Sequence, residues 1–347
     1  MIYFHNDYNE GGHPKILEKL IATNLEQTTG YGEDEYCAQA ADRIRGICGR
    51  NDLAVHFLVG GTQANLTVIA AALRPHQAAL GAVSAHINVH ETGAVEATGH
   101  KVLSVPSDDG KITAAQVRST VLTHRASGSF EHEAQPKLVY ISNPTELGTI
   151  YTLAELEELS ATCKEFGLYL FLDGARLGYG LAAAGNDVTM ADLARLCDVF
   201  YIGGTKVGAL FGEAVVISNP VIKEDFRYLM KQHGAMLAKG RLLGIQFDVL
   251  MDNNLYFDLG MHGIKLANRI RDTFDKLGVS YLVSSPTNQI FPILSDKLLD
   301  ELSKKFMFTE MERVDATHRA VRFCTSWATT EENVEALCQE IERLAAL

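Results

Sequence analysis

The sequence lacks the features expected of nucleic-acid-binding, disulfide-rich and membrane-spanning proteins. Its 347 residues include 31 Lys and Arg against 43 Asp and Glu, a formal net charge of −12, whereas a nucleic-acid binder usually carries a basic face. The six cysteines have no CxxC spacing, which predicts reduced, mostly buried thiols without a disulfide framework or a zinc site. No apolar run reaches the roughly 20 residues that a membrane span needs. We predict no nucleic-acid partner, no membrane partner and no metal.

Targeting and nucleotide-binding motifs are also missing. The stretch MIYFHNDYNEGGHP has acids and glycines where a signal peptide needs a basic start and an apolar core, which predicts a cytoplasmic protein. The loop GGTQAN has neither the GK[ST] of a Walker A loop nor the GxGxxG pattern of dinucleotide-binding proteins. Repeats, low-complexity tracts and linkers rich in proline or serine are absent, so we expect domains that pack tightly.

Short apolar runs alternate with amphipathic stretches through the middle of the chain. Nearly continuous apolar strands separated by helices indicate a parallel sheet covered on both faces. This pattern predicts a large α/β domain, residues 16–252, and a small α+β domain, residues 1–15 and 253–347. The small domain is expected to contain VSYLVSS, TNQIFPIL and AVRFCTS as strands. The predicted strands of the large domain include AALGAV, KVLSVP, Ala54–Val59, Lys137–Ser142, Leu168–Leu172 and Asp198–Ile202.

Polar loops follow four of these strands, with the sequences GGTQAN, SNPTE, DGAR and GGTK. In open α/β sheets, ligands bind outside the carboxyl ends of the strands, so we expect the four loops to form one crevice. Gly60, Gly61 and Thr62 lie between a strand and a helix start, where backbone N–H groups favour an anion such as phosphate. A turn with an N-cap would give the same local pattern.

An acid and a lysine at strand ends add chemistry to this crevice. Asp173 ends a very apolar strand, and it is either a helix N-cap or the partner of a protonated ring nitrogen. Arg176 has a planar fork that binds carboxylates. Lys206, in YIGGTKVGAL, is either a lysine that extends into water or a desolvated nucleophile for Schiff-base chemistry. An anion loop, an acid and a lysine about thirty residues later together match what pyridoxal 5′-phosphate requires.

Six segments, in order along the chain, carry a family resemblance: YGEDEYCAQAADRI, GGTQAN, SAHINVHETGA, ELGTIYTLAELEEL, LDGARL and VRFCTSWATT. With them the sequence resembles the L-threonine aldolases, in the β-eliminating lyase group. The resemblance implies the aspartate-aminotransferase fold (fold type I) with a mostly parallel seven-stranded sheet. It also implies retro-aldol cleavage of L-threonine, L-allo-threonine or related β-hydroxy-α-amino acids to glycine and an aldehyde. A homodimer or homotetramer with active sites between subunits is expected.

The resemblance also implies roles for individual residues. It makes Lys206 the Schiff-base lysine, Asp173 the partner of the cofactor ring nitrogen, and Gly60, Gly61 and Thr62 the phosphate loop. It adds cofactor contacts from His86, Asn143, Arg176 and Thr205. It assigns the substrate carboxylate to Asn6, Arg176 and Arg322.

Two histidines are candidates for the base that takes the proton of the substrate hydroxyl. His86 matches a histidine that stacks on the cofactor ring. His132 matches a second active-site histidine at a fixed distance before Asn143, and it is slightly favoured as the base. His90 is expected to be structural.

A basic side chain at the neighbouring subunit's phosphate is also implied. The stretch AMLAKGRLLG offers Lys239 and Arg241 at the matching positions.

Three departures from the family pattern leave the aldehyde product open. Ser326 stands where many members have histidine, and Gly60 and Thr205 each replace a serine. With these three residues the sequence resembles a phenylserine-aldolase branch of the family. An alternative is another β-eliminating lyase or an aminotransferase that uses the same cofactor and acts on a small or aromatic amino acid. A racemase, and a non-catalytic protein that retained the fold, are further alternatives.

Overall fold

Two hydrophobic cores organise residues 1–346, the part of the chain that the computed structural model describes. The larger core contains buried side chains between Ile16 and Ile264. The smaller core contains Phe4 and buried side chains between Leu266 and Ile341. The division into domains at residues 15/16 and 252/253 stays a prediction, and the change of core occurs close to both points.

The strands of both cores are short. They are β1 (Ile2–Tyr3), β2 (Ala54–Leu58), β3 (Gln77–Ala82), β4 (Lys101–Val105), β5 (Gln135–Ser142), β6 (Tyr169–Asp173), β7 (Val199–Gly203), β8 (Glu213–Ile217), β9 (Gln289–Ile290), β10 (Ile293–Ser295), β11 (Phe306–Met307), β12 (Thr309–Arg313) and β13 (His318–Cys324).

Helices lie between most of these strands. They are α1 (Pro14–Ala22), α2 (Glu35–Cys48), α3 (Gly61–Ala72), α4 (His86–Val89), α5 (Ala94–Ala97), α6 (Ala114–Ala126), α7 (Leu153–Phe166), α8 (Leu177–Ala182), α9 (Met190–Leu196), α10 (Pro220–Lys223), α11 (Phe226–Gln232), α12 (Arg241–Met251), α13 (Leu255–Lys276), α14 (Asp296–Leu302) and α15 (Glu331–Ala345).

Local sequence signals explain where the principal helices begin and end. At α7, Thr152 accepts from the Glu155 backbone N–H, the Glu155 side chain accepts from the Thr152 N–H, and Gly167 closes the helix at φ 68°. This capping box and left-handed glycine satisfy the backbone groups that a helix leaves unpaired at its ends. The predicted helix LAELEELSATCKEF therefore has the bounds that the structure shows.

The large sheet has the strand order β2-β8-β7-β6-β5-β3-β4. Strand β8 runs antiparallel to both of its neighbours, and the remaining pairs are parallel. The prediction of a mostly parallel seven-stranded sheet is confirmed. The apolar-run pattern did not identify EAVVI as strand β8, and this strand becomes important for the lysine below.

The small domain is only partly as predicted. Strands β9, β10 and β13 come from TNQIFPIL and AVRFCTS, but VSYLVSS is not a strand apart from one bridge between Tyr281 and Pro292. Proline has no N–H to continue a ladder, and Arg271 binds the carbonyl of Ser285 at 2.7 Å. The segment makes isolated backbone hydrogen bonds, from the Leu282 N–H to the Phe291 carbonyl at 2.9 Å and from the Ile293 N–H to the Ser280 carbonyl at 2.8 Å, without forming a continuous ladder. The prediction of a strand there is wrong.

The first residues of the chain belong to the small domain and reach the edge of the large one. Strand β1 pairs in parallel with β11, and the Cys324 N–H donates to the carbonyl of Phe4 at 2.7 Å. This pairing places residues 5–7 next to the carboxyl ends of the large sheet. Across residues 1–346, no helix combines the length and the apolar character needed to cross a membrane.

Candidate active site

The carboxyl ends of the parallel strands bring most of the predicted site residues to one edge of the sheet. Asp173 is the last residue of β6, and Asn143 directly follows β5. Lys206 comes three residues after the end of β7, and His86 begins the helix that follows β3. The loop of Gly60 and Gly61 joins β2 to α3. The predicted crevice is therefore present.

Asp173 is buried at 3% exposure and is surrounded by hydrogen-bond donors. One carboxylate oxygen accepts from the Tyr140 hydroxyl and from Asn65 Nδ2 at 3.2 Å, and the other accepts from the Ala175 N–H at 2.9 Å. Donors of this kind stabilise a buried negative charge. The side chain therefore does not act only as a helix cap. Its Oδ2 oxygen accepts hydrogen bonds from Tyr140 and Asn65 inside the candidate site.

A second buried carboxylate, Glu91, is linked to Asp173 through Asn65. The Asn65 amide nitrogen donates to Glu91 Oε1 at 2.7 Å, and the same oxygen lies 2.8 Å from His86 Nδ1. An ionised carboxylate only accepts hydrogen bonds, so the proton lies on Nδ1. This leaves His86 Nε2 as the ring atom that can accept a proton from a substrate.

The charges around His86 favour its protonated form. Burial lowers the pKa of His86, but the hydrogen bond to Glu91 and the nearby carboxylates of Glu146 and Asp173 outweigh burial and raise the pKa above its ordinary value. The His90 ring lies 5.5 Å from the His86 ring. The structure therefore supplies a histidine that is oriented by Glu91 and whose protonated form is favoured by Glu91, Glu146 and Asp173.

The loop before α3 is open towards an anion. Gly60 is the N-cap residue in an extended conformation, and no side chain caps this helix. A Cβ atom at Gly60 would meet nothing within 4 Å, whereas one at Gly61 would lie 3.1 Å from the Tyr201 hydroxyl. Thr62 is exposed beside them. Uncapped N–H groups at a helix N-terminus bind anions readily.

Lys206 is half-buried, and its amine forms no hydrogen bond or salt bridge with other residues in the range 1–346. Its backbone carbonyl accepts from the Tyr179 hydroxyl at 2.7 Å, and that hydroxyl also accepts from the Trp327 N–H at 3.2 Å. The lysine backbone is thereby fixed to Tyr179 and Trp327 while its amine stays available.

Thr205, next to the lysine, is hydrogen-bonded within its own loop. Its hydroxyl donates to Glu213 Oε1 at 3.1 Å and accepts from the Gly212 N–H at 2.9 Å. Its backbone N–H donates to the Gly212 carbonyl at 3.2 Å. The assignment of Thr205 to the cofactor stays a prediction.

Arg176 is buried and paired with Asp7. The guanidinium donates from Nε to Asp7 Oδ2 at 2.7 Å and from Nη2 to Oδ1 at 3.1 Å, and Asn288 Nδ2 donates to Oδ2 at 2.9 Å. Burial alone raises the pKa of Asp7, but Arg176 and Lys206 hold it below its ordinary value. The remaining guanidinium donors, on Nη1, can still bind a substrate carboxylate.

Arg322 lies on β13 and meets the same N-terminal segment. Its Nη2 donates to the carbonyl of His5 at 3.0 Å, and Nη1 donates to Gln289 Oε1 at 3.2 Å. The buried Nε has no partner among the described residues. Asn6 stands between His5 and Asp7, so residues 5–7 bring Asn6, Arg176 and Arg322 together, and their contact with a carboxylate stays a prediction.

His132 does not join this site. It lies in a 3₁₀ turn, Phe130–His132, before β5, and it is exposed at the amino-terminal edge of the sheet. The eight residues of β5 separate it from Asn143, a distance of about 26 Å at the rise of a strand. The prediction of His132 as an active-site base within the chain is wrong, because a fixed spacing to Asn143 does not reverse the strand direction.

The two basic candidates for a neighbouring subunit also differ. Arg241 donates to the carbonyls of Thr23 at 2.7 Å and Glu26 at 2.8 Å, so its guanidinium is used within the chain. Lys239 is exposed on the same loop. The structure therefore leaves Lys239 as the candidate of the pair.

Several residues that complete the site were missed from the sequence. Tyr140 is the one aromatic residue in the apolar run KLVYIS, a signal that was available, and Asn65 belongs to the quoted GGTQAN motif. Asp7 gave no local signal, because its partner Arg176 lies 169 positions away in the chain. Glu213 lies only eight positions after its partner Thr205, but in a strand that the apolar-run pattern did not identify. Glu91 belongs to the SAHINVHETGA segment, whose sequence does not show that Glu91 binds His86.

The sequence model of the beta-eliminating lyase family matches residues 6–297. The chain belongs to this family. A curated low specificity L-threonine aldolase of Pseudomonas aeruginosa is 30% identical to this lyase over 343 residues, covering 97% of this chain and 96% of that protein. A solved threonine aldolase structure from Leishmania major is 48% identical, with a TM-score of 0.97, and covers 99% of this chain and 100% of that one. These relatives confirm the predicted family.

A more distant structure shows the fold alone. An aspartate aminotransferase mutant of Thermus thermophilus is 16% identical to this lyase, with a TM-score of 0.72, and covers 99% of this chain and 91% of that one. The predicted aspartate-aminotransferase-like fold is therefore confirmed.

The residues present fit pyridoxal 5′-phosphate, the cofactor that this family and fold imply. Asn143 is buried, its Oδ1 accepts from the Tyr151 N–H at 3.1 Å, and its Nδ2 has no partner among the described residues. The Tyr201 hydroxyl near Gly61 is buried without a partner as well. Buried donors normally have a hydrogen-bond partner. The Asn143 amide and the Tyr201 hydroxyl are therefore both available to bind a polar group of the cofactor.

Proposed function

We propose that this lyase cleaves L-threonine, L-allo-threonine or related β-hydroxy-α-amino acids to glycine and an aldehyde. The observation that carries the proposal is the placement of Lys206, Asp173 and His86 at one sheet edge, beside two arginines. Bound pyridoxal 5′-phosphate would supply an electron sink for the electrons released at the substrate Cα. Lys206 would be its covalent anchor, Asp173 would face its ring nitrogen, and the Gly60–Thr62 loop would hold its phosphate.

The protein would control which substrate bond breaks by holding the carboxylate. Only a bond perpendicular to the cofactor ring overlaps its π system, so orientation selects the reaction, and such positioning can contribute several kcal/mol. Arg176 has donors left beyond those bound to Asp7, and Arg322 has an unpaired Nε. Asn6 lies between His5, whose carbonyl binds Arg322, and Asp7, which binds Arg176. We assign the substrate carboxylate to these three side chains.

His86 is the proposed base for the substrate hydroxyl. Its Nδ1 is fixed by Glu91, which leaves Nε2 to take the hydroxyl proton as the Cα–Cβ bond breaks. A histidine suits this transfer because it gains and loses a proton near neutral pH. Stacking on the cofactor ring is compatible with this role, since the ring face and Nε2 are different parts of the side chain.

A substrate panel tests the proposed function. Purified protein is incubated with L-threonine, L-allo-threonine and phenylserine, and glycine, aldehyde, ammonia and keto acid are each quantified. Glycine and aldehyde in equal amounts are expected from at least one substrate. Ammonia with a keto acid would instead favour the alternative, an elimination or aminotransferase reaction, and would overturn the aldolase proposal.

Replacing Glu91 by glutamine is expected to shift the acidic limb of the pH profile of kcat/KM to lower pH, by about one unit. Burial lowers the pKa of His86, whereas the hydrogen bond and the charge of Glu91 raise it. Removing the charge of Glu91 therefore lowers the pKa of His86. The neutral, proton-accepting imidazole then persists to lower pH. The measurement is kcat/KM for glycine formation across the acidic range.

Glu96→Gln is the matched control for this prediction, since Glu96 is exposed on the neighbouring helix α5. Its profile should overlay that of the wild type. An acidic limb that stays in place in Glu91→Gln would show that His86 is not the titrating base.

The quaternary structure is proposed as a homodimer or homotetramer with Lys239 directed to the neighbouring subunit's phosphate. Exposed apolar side chains in this region support it, including Ile21 at 78%, Leu25 at 93% and Tyr228 at 76%. Tyr31 is also half exposed, at φ 62°, and its N–H donates to the carbonyl of Ala238 at 3.1 Å. Light scattering should give the mass of two or four chains, and a monomer would contradict the proposal. A cytoplasmic location stays a prediction that cell fractionation would test.

A further inference from the structure

A buried carboxyl group lies beneath the lysine loop. Glu213 is the first residue of β8 and is 3% exposed. In register it stands opposite Leu58 of β2 and Gly203 of β7. Because β8 runs against both neighbours, its first residue lies at their carboxyl ends. Glu213 therefore sits between the strand that leads to the Gly60–Thr62 loop and the strand that leads to Lys206.

The hydrogen bonds of Glu213 go to the two residues that precede Lys206. Oε2 accepts from the Gly204 N–H at 3.2 Å, and Oε1 accepts from the Thr205 hydroxyl at 3.1 Å. Within residues 1–346 no cation lies within salt-bridge distance of this carboxyl. A buried carboxylate without a cation is unfavourable, so either a proton or the nearby charge of Lys206 must compensate for it.

The surroundings of Glu213 allow it to be either neutral or ionised. Burial raises its pKa to about 8, Asp173 also raises it, and Lys206 and the two hydrogen bonds lower it. Tyr201 on β7 and Tyr256 on α13 also face it, but burial raises the pKa of each hydroxyl, so both are neutral. A hydroxyl can donate or accept, so Thr205 pairs with the carboxyl in both states.

We propose that Glu213 is a positioning residue for Lys206. Its hydrogen bonds fix the Gly204–Thr205 backbone from which the lysine projects, and its charge state changes the reactivity of the nearby lysine amine. A neutral carboxyl leaves no anion beneath the ammonium group, and the uncharged amine is the nucleophile. The benefit to catalysis rests on the proposed function, whereas the coupling of the two charges belongs to the chain itself.

The test measures the reactivity of Lys206 directly. The full chain, with cofactor removed and the fold checked by circular dichroism, is labelled with trace acetic anhydride between about pH 6 and pH 10. Mass spectrometry then gives the labelling rate of Lys206. At about pH 6 the wild type and Glu213→Gln should label equally, because Glu213 is neutral in both proteins. At about pH 9 the variant should label roughly tenfold faster, the effect of about one pKa unit of charge interaction.

Asp248→Asn is the matched control, because Asp248 is a buried carboxylate that pairs with Arg43 at 2.7 Å on another part of the fold. Its Lys206 rates should equal those of the wild type at every pH. Equal rates in the wild type and Glu213→Gln throughout the range would overturn the proposal.

The wild type alone provides a second measurement if Glu213→Gln does not fold. Its labelling rate should rise less steeply with pH around the titration of Glu213 than a single ionisation allows. A simple one-step curve would overturn the coupling. A pH-dependent difference in a protein that releases no glycine from the panel would support the coupling and overturn the aldolase function, so the two failures are distinguishable.

Discussion

Lys206→Ala is expected to lose glycine and aldehyde formation by about a thousandfold or more, which corresponds to at least about 4 kcal/mol of transition-state stabilisation. The amine is the proposed covalent anchor, and Lys111, on the loop that follows β4 at the same sheet edge, is paired with Glu155 at 2.6 Å. Because the Lys206 amine contacts no partner by hydrogen bond or salt bridge in residues 1–346, the substitution removes reactivity with little effect on folding. The measurement is the rate of glycine release with each panel substrate.

Two controls separate chemistry from folding in this prediction. Lys101→Ala removes an exposed lysine of β4 and should keep full activity. Lys206→Arg keeps a positive charge but cannot form a Schiff base, and it should be as inactive as the alanine variant. Lys206→Ala with more than about a tenth of wild-type activity would show that another group is the nucleophile.

Asp7→Asn is expected to destabilise the fold by about 3–5 kcal/mol, since removing one partner of a buried ion pair leaves an uncompensated charge. Asp7 is fully buried, and Arg176, 6% exposed, donates two hydrogen bonds to it. An asparagine amide would present N–H donors to a guanidinium that also only donates. Urea unfolding of the wild type and the variant measures the difference.

The stability lost in Asp7→Asn is expected to be smaller at acidic pH than at neutral pH. The folded-state pKa of Asp7 lies below its ordinary 3.8, so the stabilisation is present above that value and is lost as pH falls through the folded-state pKa. The penalty in Asp7→Asn should therefore be constant near neutral pH and shrink in acid. Glu165→Gln, which breaks the exposed pair with Arg118, is the control and should change stability far less. A change of similar size in both variants would show that Asp7 has no special role.

The parts of the site that lie next to strand ends could be predicted from the sequence. Asp173 and Lys206 follow apolar runs directly, and the direction of parallel strands determines where their loops meet. The helix LAELEELSATCKEF could be bounded as well, because its capping box and glycine are local signals. In each case the information lies within a few residues of the feature.

The predictions that were wrong or missing concern residues whose positions depend on contacts between segments that are separated in the chain. The ion pair of Asp7 with Arg176 joins residues 169 positions apart, and nothing near Asp7 indicates its partner. His132 was assigned by its resemblance to a family histidine at a fixed spacing before Asn143, although the strand between them carries it away from the site. Strand β8, which contains Glu213, was not predicted. The prediction relied on strands separated by helices, and no helix lies between β7 and β8.

The pairing of β1 with β11 has a consequence for the newly made chain. Residues 2 and 3 are made before their partners Phe306 and Met307, which lie 304 residues further along the chain. At a synthesis rate of about 5–20 residues per second, β1 exists for roughly 15 to 60 seconds before β11 has been made and can pair with it. During that time Arg176 has no Asp7 beside it and Asn6 is not held between the arginines. We expect the nascent protein to remain unable to hold a substrate carboxylate until β11 has been made and has paired with β1.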